Sequence, residues 1–159
     1  MKLITILFFL FLWPFQQTTF QGKVTAVIDG DTIEVLRDGK AIRIRLQGID
    51  CPERSQPFGA QAKESTSDLV FGKQVLVKPT GEDRYGRMLA DVYVDAANTE
   101  NEFGGWLNKA LVGAGMAWHY KRYSQDQELA RAEEMARKVK IGLWNDTEPV
   151  APWLWRKGN

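Results

Sequence analysis

The chain has 159 residues, 44% of them hydrophobic with six Trp and eight Phe, which suits one domain around one compact core. Lys plus Arg number 21 against 20 Asp plus Glu, so no overall basic field marks a nucleic-acid coat protein or a membrane-surface binder, and any anionic ligand must be held by a local site. The single cysteine, Cys51, excludes an intrachain disulfide, and with one histidine, His119, a Cys/His zinc cluster is excluded too.

Residues 1–20 carry one charge, Lys2, and Leu3 to Phe15 (LITILFFLFLWPF) is apolar apart from Thr5 and Pro14. Roughly 13 apolar residues fit the hydrophobic region of a secretory leader better than a membrane span, which needs about 20. The expected outcome is a secreted or periplasmic protein. An uncleaved membrane anchor and a buried first element are the alternatives, since QQTTFQG contains no small-residue cleavage site.

From Gly22 the pattern turns to β-rich runs, KVTAVI, TIEVL and AIRIRLQGI, separated by Asp29-Gly30-Asp31 and by Arg37-Asp38-Gly39-Lys40. Asp-Gly pairs favour tight hairpin turns, so these three strands are expected to form an antiparallel meander. Residues 59–71 (GAQAKESTSDLVF) read as a helix stopped by Gly72. Two further strands, QVLVK (74–78) and MLADVYV (88–94), flank the polar loop PTGEDRYGR. A short apolar helix is expected over 106–112 (WLNKALV). Ser124 with Gln127 makes a capping-box start for a longer helix to about Lys140, with Leu129, Ala132, Ala136 and Val139 on its buried face. The tail carries Trp153, Leu154 and Trp155 after two prolines and is expected to pack in extended form. The expected organisation is a leader or anchor over 1–20, a folded domain over 21–145, and an extended Trp-rich tail over 146–159. Five strands with about three helices make an α+β domain whose sheet can close as a barrel of the OB type.

Four carboxylates sit beside turns: Asp29 and Asp31 in VIDGDT, and Asp50 and Glu53 in GIDCPE. Such hard oxygen ligands suit Ca²⁺ or Mg²⁺. Each pair alone also reads as turn chemistry. Arg45 on the strand leading to Asp50, and Arg87 at the end of DRYGR, add what a phosphodiester needs. A planar guanidinium binds two phosphate oxygens and stabilises the added negative charge of a pentacoordinate transition state.

VIDGDT, RLQGIDCPE and DRYGR, in that order and at those separations, resemble the signature segments of staphylococcal-nuclease-like domains. The resemblance runs from about Gly22 to Trp144 and includes ALVGAGMAWHY and the helix ending in IGLW. It implies an OB-fold barrel that hydrolyses DNA and RNA with one Ca²⁺ ion, favours single-stranded regions and leaves 3′-phosphates. It further implies a monomer with no obligate protein partner. By the same resemblance Asp31 and Asp50 are the carboxylate ligands, the backbone carbonyl of Cys51 is a further ligand, and Asp29 supports them from behind. Glu53 matches the residue proposed as general base, and Arg45 and Arg87 grip the reacting phosphate. Arg84 and Tyr85 lie beside the nucleotide. Trp118 and Tyr120 fall where the family has two substrate-side tyrosines, with Tyr123 a further candidate.

Cys51 replaces a threonine of the family's best-known member, which a main-chain ligand tolerates. Residues 95–105 (DAANTENEFGG) look expanded. His119 has no Gly-x-Ser-x-Gly partner and reads as a structural or groove residue. The competing reading is a catalytically inactive domain of the same fold that binds nucleic acid or protein. The presence of every charged member of the catalytic set favours the enzyme.

Overall fold

A computed structural model describes residues 18–94 and 105–158. The apolar run Leu3 to Phe15 and nearly all of the expanded segment 95–105 lie outside the described residues. Among those described, no helix is long and apolar enough to cross a membrane.

Strands β1 (Phe20–Asp29), β2 (Thr32–Arg37) and β3 (Lys40–Leu46) form the expected antiparallel meander. Asp29 pairs with Thr32, which leaves Gly30 and Asp31 as a two-residue turn. The second hairpin turns on Asp38 and Gly39, both at positive φ as a type I′ turn requires. β4 (Ile49–Asp50) follows, then helix α1 (Gly59–Val70), β5 (Gln74–Glu82) and β6 (Met88–Val94). β6 pairs parallel with β3 and antiparallel with β5, and β5 pairs back onto β1, so five strands close a barrel in the order β1-β2-β3-β6-β5. Inward positions alternate along each strand, and Val24, Ile33, Val35, Ile44, Val77 and Val92 are fully buried inside. β1 opens at Phe20, the last residue of the segment assigned to the leader, and the Phe20 side chain belongs to the core.

Helix α2 (Leu107–Gly113), the short strand β7 (Trp118–His119) and helix α3 (Gln127–Lys138) pack outside the barrel, and β7 pairs with β4. The buried Asn108 ties α2 down: its Oδ1 accepts from Val92 N at 3.2 Å and its Nδ2 donates to Gln47 O at 2.9 Å.

Two details of α3 differ from the sequence reading. The N-cap is Asp126, whose Oδ1 accepts from Glu128 N at 2.8 Å and Leu129 N at 3.0 Å, whereas Ser124 lies two residues earlier with its Oγ 3.1 Å from His119 Nε2. The buried stripe is Leu129, Ala132, Glu133 and Ala136. Val139 is 65% exposed, because the helix ends there and the side chain projects past the last turn. Glu133 is buried because Lys121 Nζ at 2.8 Å, Arg137 Nη2 at 3.3 Å and His119 N at 3.3 Å compensate its charge.

The tail is also corrected. After a 3₁₀ turn at Gly142–Asn145, the chain is irregular only as far as Ala151, and Pro152–Gly158 forms helix α4. Proline is well placed in a first helical turn, where its missing N–H has no partner to lose. The segment before it is anchored by Gln56 Nε2, which donates to Val150 O at 2.6 Å.

Candidate active site

Three elements meet at one end of the barrel. The β1–β2 turn supplies Asp31, the end of β3 supplies Arg45, and β4 supplies Asp50. Their register is set by the backbone: Arg45 pairs across with Thr32, and Leu46 N donates to Asp31 O at 2.8 Å. The turn can approach this closely because residue 30 has no side chain. A Cβ there would meet Cys51 Cβ at 2.7 Å and Ala62 Cβ at 2.9 Å.

Arg45 binds the two carboxylates together. Its Nη2 lies 2.9 Å from Asp31 Oδ2 and 2.9 Å from Asp50 Oδ1, while Nη1 donates to the carbonyls of Leu46 and Ile49 at 2.9 and 3.0 Å. Asp31 also accepts from Cys51 N at 2.8 Å, and Asp29 Oδ1 accepts from Asp31 N at 3.2 Å. Burial pushes the Asp31 pKa up to about 7. The Arg45 charge opposes that rise, and the charges of Asp29 and Asp50 add to it. Burial alone would weaken the charge on Arg45, but Asp31 and Asp50 outweigh it and raise its pKa. The Cys51 thiol is buried, and burial together with Asp31 pushes its pKa well up, which leaves it protonated and unsuited to nucleophilic attack.

The DRYGR loop faces this cluster across a cavity of about 680 Å³ lined by Asp31, Arg45, Asp50, Glu53, Tyr85 and Arg87 among others. Asp83 organises the loop. One carboxylate oxygen accepts from Tyr85 N at 2.8 Å and Arg87 N at 3.0 Å, and the other from Arg87 Nε at 2.7 Å. Burial is the largest single influence and raises the Asp83 pKa, but these bonds and the Arg87 charge together outweigh it and the pKa falls below its usual value. Arg87 is thus aimed through Nε, and among the described residues neither Nη nitrogen has a carboxylate partner. The guanidinium of Arg84 lies 4.8 Å from the centre of the exposed Tyr85 ring.

Glu53 is held by its own loop. Its N donates to Gln56 Oε1 at 3.1 Å and its carbonyl accepts from Gln56 N at 2.9 Å. Its carboxylate meets a residue absent from the sequence reading, Arg156 of α4. Arg156 Nη1 donates to Glu53 Oε1 at 2.5 Å, and Arg156 Nη2 lies 2.8 Å from Asp50 Oδ2. Partial burial works against the Arg156 charge, and the bonds from Asp50 and Glu53 more than restore it, raising its pKa. No local signal announces this residue, because it lies 103 positions from Glu53 on a tail with no motif of its own.

The aromatics sort themselves. Tyr120 and Tyr123 line the cavity, and Trp153 of α4 lies flat on Tyr120 with centroids 4.9 Å apart and planes 3° apart. Trp118 is turned away into a cluster with Trp144 and Trp153, with Arg137 4.8 Å above its ring. His119 is buried against Ser124, and burial lowers its pKa, as suits a structural histidine.

Among the described residues no group of three or more His, Cys, Asp or Glu side chains converges on one point, so no cage of side chains alone exists. What converges is a pair of buried carboxylates, Asp31 and Asp50, next to the main chain of Cys51. Two hard oxygens plus main chain and water suit a partly hydrated Ca²⁺ or Mg²⁺, and the raised pKa of Asp31 marks a place where added positive charge is favourable. The donor set therefore fits such an ion, with Arg156 competing for Asp50.

Residues 43–146 match the family model described as staphylococcal nuclease homologue. The chain is 43% identical over 155 residues to an uncharacterized endonuclease of Escherichia coli O157:H7, covering 98% of this chain and 97% of that protein. It is 42% identical to the Escherichia coli protein ParB, over 86% of this chain and 79% of that one. It is also 38% identical to a micrococcal nuclease of Shigella flexneri, over 88% and 82% of the two chains. With its closed five-stranded barrel and a matching segment that carries Arg45, Asp50, Glu53 and Arg87, the chain belongs to the staphylococcal nuclease family.

Proposed function

We propose that the protein is a nuclease that hydrolyses phosphodiester bonds of DNA and RNA with low sequence specificity, depends on one divalent ion, Ca²⁺ in the first instance, and prefers single strands. The observation that carries this reading is one cavity lined by the buried Asp31–Arg45–Asp50 cluster, by Glu53, which Arg156 bridges to Asp50, and by Arg87 of the facing DRYGR loop. Asp31, Asp50 and the Cys51 carbonyl would hold the ion, which supplies charge neutralisation beside the phosphate and eases ionisation of water.

The protein's own groups do the rest. Glu53 Oε takes a proton from the attacking water, the water oxygen forms its bond to phosphorus, and the bond from phosphorus to the leaving oxygen breaks. Arg87, whose Nη nitrogens hydrogen-bond no carboxylate among the described residues, binds the phosphoryl oxygens bidentately and donates a hydrogen bond to the leaving oxygen. Arg45 contributes through its charge and Nε, since its Nη nitrogens already meet protein oxygens. Tyr85 and Tyr120 offer ring faces, which stack on any base and read no sequence. The apolar run Leu3 to Phe15, read as a leader or an anchor, supports export to the periplasm or the medium, with the folded part acting as a monomer.

The test is digestion of denatured DNA by the full chain in Ca²⁺ or in chelator, with Mg²⁺ in parallel. The wild type is expected to digest in Ca²⁺ and stop in chelator, and Arg87→Ala and Glu53→Gln each to slow digestion by about 100-fold or more. No digestion in Ca²⁺, or both variants as fast as wild type, would overturn the reading.

A further inference from the structure

The cavity over Asp31 and Arg87 does not end at Tyr120. It opens into a second one of about 640 Å³, and the two share Arg84, Tyr120, Tyr123 and Arg156. The second cavity is lined by six cations, Arg84, Lys121, Arg122, Arg137, Arg156 and Lys157. Its one acidic lining residue, Glu133, has a side chain only 3% exposed and already paired with Lys121 and Arg137. Among the described residues no carboxylate is paired with Arg84, Arg122 or Lys157.

Aromatic rings lie between these charges. Tyr123 is 64% exposed, packs edge-on against Tyr120 at 4.9 Å, and has the Arg122 guanidinium 5.7 Å from its centre. α4 adds Trp153, stacked on Tyr120, and Lys157 one turn beyond. A solvated basic face would mix signs and need no concavity. Here cations predominate on a concave surface continuous with the proposed phosphodiester site, its one carboxylate being buried and paired, in a chain whose overall charge is only +1.

We propose that this groove binds the stretch of single-stranded nucleic acid flanking the scissile phosphate, with Arg122 and Lys157 contacting its phosphates and Tyr123 offering a face to a base. The proposal rests on reading the neighbouring cavity as a phosphodiester site. It assigns α4 a role in substrate binding and makes the protein a reader of strand length. Successive phosphates fit a row of separated cations, and bases fit the rings between them without any sequence preference.

The experiment measures anisotropy of a labelled twelve-nucleotide oligothymidylate with the full chain, in chelator so that nothing is cleaved, across a series of NaCl concentrations. Arg122→Ala/Lys157→Ala is expected to reduce the salt slope by about 1.4, from about 0.7 per single-strand phosphate contact. The control pair, Lys40→Ala/Lys73→Ala, removes the same charge at the other end of the barrel, where Lys40 pairs with Arg37 and Lys73 O accepts from Val24 N, and should leave the slope as it is. In Ca²⁺, the wild type should show a lower KM for the twelve-mer than for a thymidine dinucleotide, and the groove variant should shrink that ratio several-fold. An unchanged slope in the groove variant, an equal loss in the control, or an unchanged KM ratio would overturn the groove. A wild type that binds with the expected slope yet cleaves neither substrate supports the groove and refutes catalysis, so the two failures are distinct.

Discussion

Asp31 is buried beside two other carboxylates, and its pKa near 7 means that holding it ionised costs stability. In the folded chain it binds a proton that the unfolded chain releases above about 3.8. Its contribution to stability is therefore present below that value and lost as pH rises through about 7. The melting temperature in chelator is expected to fall between about pH 4 and pH 7 and to level off above, and Asp31→Asn to flatten that fall while its amide oxygen still accepts from Cys51 N. Added Ca²⁺ should raise the wild-type melting temperature and leave that of the variant unmoved. Calorimetry over the pH range checks both, and a variant that melts far below wild type in chelator at neutral pH would refute the account. Asp31, Arg45, Asp50 and Glu53 were legible in the sequence because each sits in a short motif whose backbone turn is local. Arg156 was not, because a contact between a tail and a loop leaves no periodicity to read.

At the scale of elements, the placement of Glu53 depends on the start of α1. Gly59 N donates to Gln56 O at 3.0 Å, and a Cβ on residue 59 would run into Glu53 O and the Arg54 backbone. Gly59→Ala is expected to push the Glu53 loop out of place, cutting nuclease activity at least tenfold, about what a misplaced general base costs, while the barrel still melts cooperatively. Circular dichroism melts beside activity assays decide it, and full activity would show that the loop yields freely. α4 makes a second prediction. Arg156 and a divalent ion seek the same oxygen atoms of Asp50, so Arg156→Gln should tighten Ca²⁺ binding by roughly tenfold, the scale of one charge pair at a partly exposed site. Titration calorimetry measures it, and weaker binding would mean that Arg156 holds Asp50 in place for the ion. The helices were read from the sequence by period and punctuation. What period could not show was which polar residue wins a cap, or that Glu133 is buried, since partners from β7 and the turn after it decide that.

The whole molecule depends on closure of the barrel. The first four residues of β1, Phe20–Lys23, pair with Val77 to Gln74 of β5 and seal the last seam. A chain starting at Val24 should lose cooperative unfolding, whereas one starting at Thr18 should keep it; equal melting curves would refute this. The strand list and its meander were legible from alternation and Asp-Gly turns. The seam between β1 and β5 and the parallel pairing of β3 with β6 were not, because each joins segments far apart in sequence. Tyr120 rests on the loop after β3, its N donating to Gly48 O at 2.8 Å, and carries the stack formed with Trp153. An indole lying flat on a phenol beside the candidate cavity, with Trp118 at its edge and Trp144 behind Trp118, is a built-in fluorophore. Its emission and near-ultraviolet dichroism give an unlabelled optical signal for whether α4 is seated or lifted, readable in a stopped-flow cell while a strand enters.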